Sequence, residues 1–241
     1  MPEVANLLFQ YNDDVVTKSY PSLAQRMNDD PHIKKFVQES PVNQDGMVML
    51  DIGCGYGQFA YHLALSNPKS EIIGCDLSES FLEMAKMEGA RLANLRFALM
   101  NMFNMTELPD KSLDFMFATY AIHVKHQNDL TTLFRHFAAK LKKGGSFRFI
   151  LNTVKAKDGV ALPDEIEQDR GIPITLHKTS KTPFNLVDFC CTEEEITQAL
   201  NNAGFKCLMV EGLDTSEKMN GDFKLRNDVL LVELIVDAIR Q

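Results

Sequence analysis

Residues 49–58 read MLDIGCGYGQ. An apolar run ends in an acid, Asp51, and glycines then fall on alternate positions, Gly53, Gly55 and Gly57. Glycine tolerates positive φ and lets backbone N–H groups come within contact distance of whatever lies opposite. In an open α/β sheet the turn after the first strand lies at the carboxyl edge, where ligands bind. The flanking sequence should then alternate strands with helices.

It does so. The stretches MVMLDIG, SEIIGCDLS and LRFALMN read as strands, and QFAYHLALSN and ESFLEMAKMEGA between them read as amphipathic helices. SLDFMFATYAI continues as a strand, DLTTLFRHFAAKL as a helix closed by Lys142, Lys143, Gly144 and Gly145, and SFRFILNTV as a fifth strand. The rhythm breaks over residues 152–190, where Pro163, Pro173 and Pro183 sit among polar residues, so this stretch reads as an insertion. TEEEITQALNNAGF then places Thr192 as an N-cap with Glu195 three residues on, a capping box, and two strands follow near FKCLMVEG and DVLLVELIVDA. The expected fold is α/β: a doubly wound, mostly parallel, seven-stranded Rossmann-like sheet with helices on both faces. One domain spans residues 1–241, with an N-terminal cap at 1–45, a core at 46–151, the insertion at 152–190, and the last helix and two strands at 191–241.

Bulk properties narrow the function. The 241 residues carry a formal net charge of −8 and no block of Lys or Arg, which argues against a nucleic-acid face and for a small-molecule partner. The start, MPEVANLLFQYNDD, lacks a basic segment followed by a long apolar one, and no run approaches the roughly 18 apolar residues of a membrane span. Five irregularly spaced cysteines, Cys54, Cys75, Cys190, Cys191 and Cys207, form neither a disulfide framework nor a zinc pattern and fit a reducing, cytoplasmic setting. Oligomeric state is not legible.

Two ligand classes use such a glycine turn, dinucleotides and S-adenosylmethionine. The dinucleotide fingerprint G-x-G-x-x-G requires a third glycine where this chain has Gln58, since its spacing is G-x-G-x-G. A second acid should end the second strand and accept from ribose hydroxyls, and Asp76 in IIGCDLS does so.

With LDIGCGYG, Asp76, the fourth-strand stretch and LKKGG in place, the chain resembles a class I S-adenosylmethionine-dependent methyltransferase over about residues 47–151, and more weakly to its end through AGF and the last two strands. The resemblance implies that the turn of Gly53, Gly55 and Gly57, preceded by Asp51, packs against the methionine part of S-adenosylmethionine. Asp76 takes the ribose hydroxyls and Leu77 lies against the adenine. Asn101 and Met102 fall where the third-strand motif has an acid and an apolar residue; Asn101 departs from the commoner aspartate, and its amide oxygen would accept from the adenine amino group. Ala118 and Thr119 fall at the mouth of the fourth strand. A helical cap with an aromatic residue on the sulfonium side is also implied, with Tyr11 or Tyr20 as the residue, although tyrosines bridging cap and core fit equally.

Methyl transfer from a sulfonium needs alignment and exclusion of water, and a general base only when the acceptor is a hydroxyl or an acidic C–H. His123 and then His126, in AIHVKHQND, are the candidates for that base, against a capping or solvent-facing imidazole. Their spacing could put both on one helical face, yet no acid or histidine nearer than His177 completes a metal set, so no metal is expected. His62 and His136 read as helix-surface residues, and Cys190 and Cys191 lack the setting of a redox site. Three other functions remain to be weighed: a non-catalytic S-adenosylmethionine-binding partner or sensor, a methyltransferase of protein or RNA, and a nicotinamide enzyme, the last disfavoured by Gln58.

Overall fold

The structure, a computed structural model, describes residues 36, 38–40, 44–124, 127–156, 171–176, 184–189, 191–214, 223–224 and 229–241. The cap expected at 1–45, with Tyr11 and Tyr20, therefore lies almost wholly outside the described residues, as do His126, His177 and Cys190.

Strands β1 (Val48–Ile52), β2 (Glu71–Asp76), β3 (Leu95–Leu99), β4 (Leu113–Thr119) and β5 (Leu141–Ala156) alternate with helices α1 (Gln58–Ser66), α2 (Glu79–Gly89) and α3 (Gln127–Lys140). Beyond them come β6 (Gly171–Leu176), β7 (Phe184–Phe189), α4 (Glu193–Asn202), β8 (Phe205–Asp214), β9 (Phe223–Lys224) and β10 (Val229–Arg240). Seven strands form one sheet in the order β3-β2-β1-β4-β5-β10-β8. Pairings among β3, β2, β1, β4 and β5 are parallel, and β10 runs antiparallel between β5 and β8. The chain winds outward in one direction from β1 and in the other from β4, so the carboxyl ends of these two strands mark the switch point.

The core has two faces. On one, α3 and α4 bury Phe134, Phe137, Ile196 and Leu200 against Leu50, Ile73, Phe147 and Phe149. On the other, α1 lays Ala60, Leu63 and Ala64 over Met49, Ile72, Phe115 and Phe117, and Phe36 joins this cluster. Arg148 of β5 is buried on the Phe36 side: its guanidinium lies 4.8 Å from the Phe36 ring centroid and pairs with Glu39 at 2.7 Å and with Asp237 at 3.3 Å. The helix start read from the sequence at Thr192 is capped as such a start should be, and so is one the sequence reading did not name, at Ser78. Ser78 accepts from Phe81 N–H at the head of α2, and Thr192 and Glu195 form the full capping box of α4.

Three elements differ from the sequence reading. Lys142–Gly145 do not close the helix outside the sheet, because α3 already ends at Lys140 and Leu141 pairs with Leu113 at the start of β5, with a register shift before Ser146 meets Phe115. β5 also continues to Ala156, past the expected core boundary, and pairs with β10 to its end. Finally, the stretch read only as a break in rhythm contains β6 and β7, which pair antiparallel, while β9 pairs with β6 at Thr175 and Leu176 to complete a separate three-stranded sheet. Pro173 sits in the part of β6 that β9 does not cover, where a residue without an N–H is tolerated.

Direction fixes where these pieces emerge. β4 last pairs at Thr119 with Ile150, so the Leu151–Ala156 end of β5 projects about 20 Å beyond β4 at about 3.3 Å per residue. β8 is parallel to β5, since both are antiparallel to β10. The excursion after β5 and the one between β8 and β10 thus both leave from the carboxyl edge, and they share the small sheet.

One ring sets the spacing of β2, β3, α1 and α2. A Cβ at Gly74 would meet Phe97 at 2.6 Å, one at Gly57 would meet it at 2.6 Å, and one at Gly89 at 2.8 Å. Gly74→Ala is expected to destabilise the fold by about 1–3 kcal/mol in urea unfolding through overpacking, and Phe97→Leu in the same chain is expected to restore much of it. Gly57→Ala should resist that rescue, because Gly57 also has φ 85°.

Candidate active site

The glycine turn leaves β1 at the switch point. Gly53, Gly55 and Gly57 have φ of 63°, 53° and 85°. Cys54 N–H donates to the Cys75 carbonyl at 2.9 Å, Gly57 N–H to the Cys54 carbonyl at 2.8 Å, and Gly55 N–H to Asp76 Oδ2 at 2.9 Å. Gly57 is the N-cap of α1 and offers no side chain, and the first turn of the helix holds no acid. Its N-terminal N–H groups and partial positive charge suit an anionic group such as a carboxylate.

The sequence reading attributed the missing side chains to ligand contact. At two positions the fold itself imposes glycine: a Cβ at Gly53 would overlap the Ala121 methyl group, and one at Gly57 would run into Phe97 and Ala85. The turn's suitability for a ligand rests instead on its N–H groups and on the acids beside it.

Asp76 sits at the centre of these contacts. Oδ1 accepts from Ser78 N–H and Oδ2 from Gly55 N–H, each at 2.9 Å, so one carboxylate ties the glycine turn to the head of α2. Each oxygen has a second lone pair for a ribose hydroxyl. Burial pushes its pKa up while the N–H groups of Ser78, Gly55 and Leu77 pull it down. Leu77, next in the chain, is half-buried.

Asn101 follows β3, but its amide oxygen accepts from Phe103 N–H at 2.9 Å, and its backbone carbonyl accepts from Asn104 and Met105. The oxygen that the sequence reading assigned to the adenine amino group thus closes a local turn, which carries Met102 and Phe103 against the core. Among the other expected residues, Asp51 and Ala118 have 0% exposure and stand behind the site, while Gly53, Gly55, Leu77, Asn101, Met102 and Thr119 are half-buried at the carboxyl edge.

Sequence reasoning passed over Tyr120. It has φ 52°, rare for a residue with a side chain, and its N–H donates to the Ile150 carbonyl at 2.9 Å. The kink turns the chain out of β4, so that Ala121 meets Gly53 and His123 follows in a non-helical segment, half-buried. One residue further on, the Val124 carbonyl accepts from Cys191 Sγ at 3.4 Å, and the Cys191 carbonyl accepts from Thr153 Oγ1 at 3.0 Å. Cys191, set aside in the sequence as redox chemistry, thereby links the His123 segment to the projecting end of β5. His62 and His136 are exposed on their helices.

The electrostatics behind the turn are one-sided. Asp51 Oδ2 accepts from Ala60 N–H at 3.2 Å, and Oδ1 is buried without a hydrogen-bond partner. Burial pushes the Asp51 carboxyl well above the usual carboxylate range, and the charge of Asp76 adds to this. Burial, then Asp51, raises the Cys54 and Cys75 thiols, and burial pushes Tyr56 up to about 12. A buried carboxyl oxygen without a partner calls for a compensating group, and a negatively biased site beside a helix N-terminus fits a ligand that carries both a carboxylate and positive charge, as S-adenosylmethionine does.

Comparison with known proteins agrees with this geometry. Residues 49–145 match the family described as methyltransferase domain. A malonyl-[acyl-carrier protein] O-methyltransferase of Legionella pneumophila is 35% identical over 104 residues, 42% of this chain and 34% of that protein. Among solved structures, a geranyl diphosphate C-methyltransferase from Streptomyces coelicolor, in complex with Mg2+, geranyl diphosphate and S-adenosyl-L-homocysteine, superposes with TM-score 0.61 at 14% identity, covering 87% of this chain and 76% of that one. The [4+2]-cyclase SpnF superposes with TM-score 0.61 at 17% identity, covering 87% and 80%. At such identities the structural likeness is one of fold. Residues 49–145 are thus similar to methyltransferase domains, and the fold is one shared with S-adenosylmethionine-dependent methyltransferases. The matched stretches span between 34% and 42% of the first three curated relatives.

The buried acid has a testable signature. A carboxyl raised in the folded chain supports folding fully below its unfolded value, about pH 4, and that support is lost as pH rises through the folded value. Thermal melts of the ligand-free protein over a pH series should therefore contain a component of declining stability that Asp51→Asn lacks. Parallel profiles for the two proteins would contradict the burial argument.

Proposed function

We propose that this protein transfers the methyl group of S-adenosylmethionine to a small-molecule acceptor at the carboxyl edge of the sheet. The observation that carries the reading is the carboxylate of Asp76, bonded at once to the glycine turn and to the head of α2 at the switch point. Asp76 is positioned to hold ribose hydroxyls, and the N–H groups at the head of α1 to hold the amino-acid carboxylate, with Leu77 and Met102 as apolar neighbours of the adenine. Tyr20 remains the proposed aromatic on the sulfonium side. The bound cofactor supplies a methyl group already activated on sulfur for in-line displacement. The chain's part is to orient the acceptor, exclude water and, where the acceptor is a hydroxyl or carbon acid, to take its proton at the His123 imidazole.

A small acceptor is supported by the net charge of −8, which opposes an RNA substrate, and by similar proteins whose names specify demethylmenaquinone and geranyl diphosphate. The projecting ends of β5 and β10 and the small sheet would form the acceptor's outer wall. Among the described residues no helix is long and apolar enough to cross a membrane. With the cysteine pattern, this supports our placing the protein in the cytoplasm. A second reading, cofactor binding without methyl transfer, is favoured by one observation: a [4+2]-cyclase shares the fold.

Calorimetric titration separates the readings of the turn. S-adenosylmethionine should bind in roughly the micromolar range, about 8 kcal/mol, NAD should not bind, and Asp76→Ala should abolish the first. Binding of NAD in place of S-adenosylmethionine would overturn the proposal. In an assay of demethylated-cofactor release over a panel of phenolic, carboxylic and enolic acceptors, His123→Gln is expected to lower turnover by about 10²–10⁴ while cofactor affinity stays unchanged. Absence of turnover over a broad panel by a chain that binds the cofactor would favour the second reading.

A further inference from the structure

Several acids elsewhere in the described part of the chain have cations beside them. Asp114 meets Lys142 at 2.8 Å, Asp110 meets Lys140 at 2.7 Å, and Glu39 and Asp237 share Arg148. Asp51 and Asp76 differ. Among the described residues neither has a Lys, Arg or His within ion-pair distance, and both are held by backbone N–H groups alone, from Ala60 for one and from Gly55 and Ser78 for the other. The groups facing Asp51 repeat the pattern. Asp76 and Cys75 lie at the end of β2, Cys54 is in the turn, the β4 neighbours are Phe117 and Ala118, and α1 contributes only its N–H. Among the described residues the buried carboxyl of Asp51 and the half-buried one of Asp76 therefore lack a counter-charge, and one Asp51 oxygen lacks any partner. A buried carboxyl in that position either holds a proton or waits for a cation.

The two states of the cofactor differ in this respect. S-adenosylmethionine carries a sulfonium, an ammonium and a carboxylate, a net single positive charge, whereas S-adenosylhomocysteine has a neutral thioether and no net charge. We infer that the Asp51–Asp76 pair reads the charge on sulfur: the cationic donor binds with release of a proton from Asp51 to solvent, and the neutral product binds with less release. On this account, loss of the positive charge after methyl transfer leaves Asp51 uncompensated, it regains a proton from solvent, and the product is held more weakly than the donor. The inference rests on the cofactor assignment made above and adds to it a mechanism by which the site distinguishes donor from product.

The experiment is calorimetric titration of the full chain with S-adenosylmethionine and, separately, S-adenosylhomocysteine. Phosphate and Tris are used as buffers at each pH between about 6 and 8.5, so that the dependence on buffer ionisation heat counts the protons. The donor should release up to about one proton more than the product, and the ratio of donor to product affinity should rise with pH by up to about tenfold per unit while Asp51 titrates. Asp51→Asn should remove both the excess proton and the pH dependence of the ratio. If that variant does not fold, the wild-type comparison of the two ligands decides alone. Equal proton counts for the two ligands, or an unchanged ratio profile in folded Asp51→Asn, would overturn this inference while leaving the cofactor assignment intact. Failure of S-adenosylmethionine to bind would overturn both.

Discussion

The closeness with which the turn after β1 approaches its neighbours governs the whole carboxyl edge. Gly53 lies against Ala121, Gly57 against Phe97 and Ala85, and Gly55 gives its N–H to Asp76. These contacts join the ends of β1, β2, β3 and β4, with α1 and α2, into one rigid rim. A side chain at Gly53 would push away the segment that carries His123, and one at Gly57 would displace the ring that spaces β2 from both helices. The glycine turn and the segment that carries His123 are therefore positioned by the same few van der Waals contacts. Catalysis by alignment depends on tolerances well below an ångström, which such packing can supply and a loose loop cannot.

Much of this could be read from the chain because the signals are local. Alternating apolar runs gave the strand and helix order, Thr192 and Glu195 marked a helix start, and the pairing of LDIGCGYG with Asp76 identified the ligand edge. The contacts that decide the detail are not local. Nothing in the residue type of Tyr120 announces a left-handed backbone, and the reason for glycine at position 57 is an aromatic residue two strands away. The small sheet was invisible for a related cause: β9 is two residues long and pairs with a strand from a different excursion, and prolines that mark a break in helix rhythm do not reveal a strand pair around them. At Asn101 the amide oxygen also accepts from Phe103 N–H, a local turn that the motif does not encode.

The site combines a rigid rim with a costly electrostatic arrangement. A buried acid without a cationic partner weakens a free protein, and among the described residues Asp51 is one such acid. Arg148 offers the contrast: it too is buried, but two acids and the Phe36 ring surround it, and it holds the segment bearing Phe36 and Glu39 to the sheet. One charged cluster pairs opposite charges, while Asp51 and Asp76 are held by backbone N–H groups alone among the described residues.

The shared small sheet bears on how this enzyme class diversifies. β6 and β7 leave the chain after β5, whereas β9 leaves it between β8 and β10, so neither excursion completes the sheet alone. A recombination event that exchanged only the stretch between β5 and α4 would separate β6 from its β9 partner. Transplanting this small sheet therefore requires two crossovers that move together, so that a change in one excursion constrains the other.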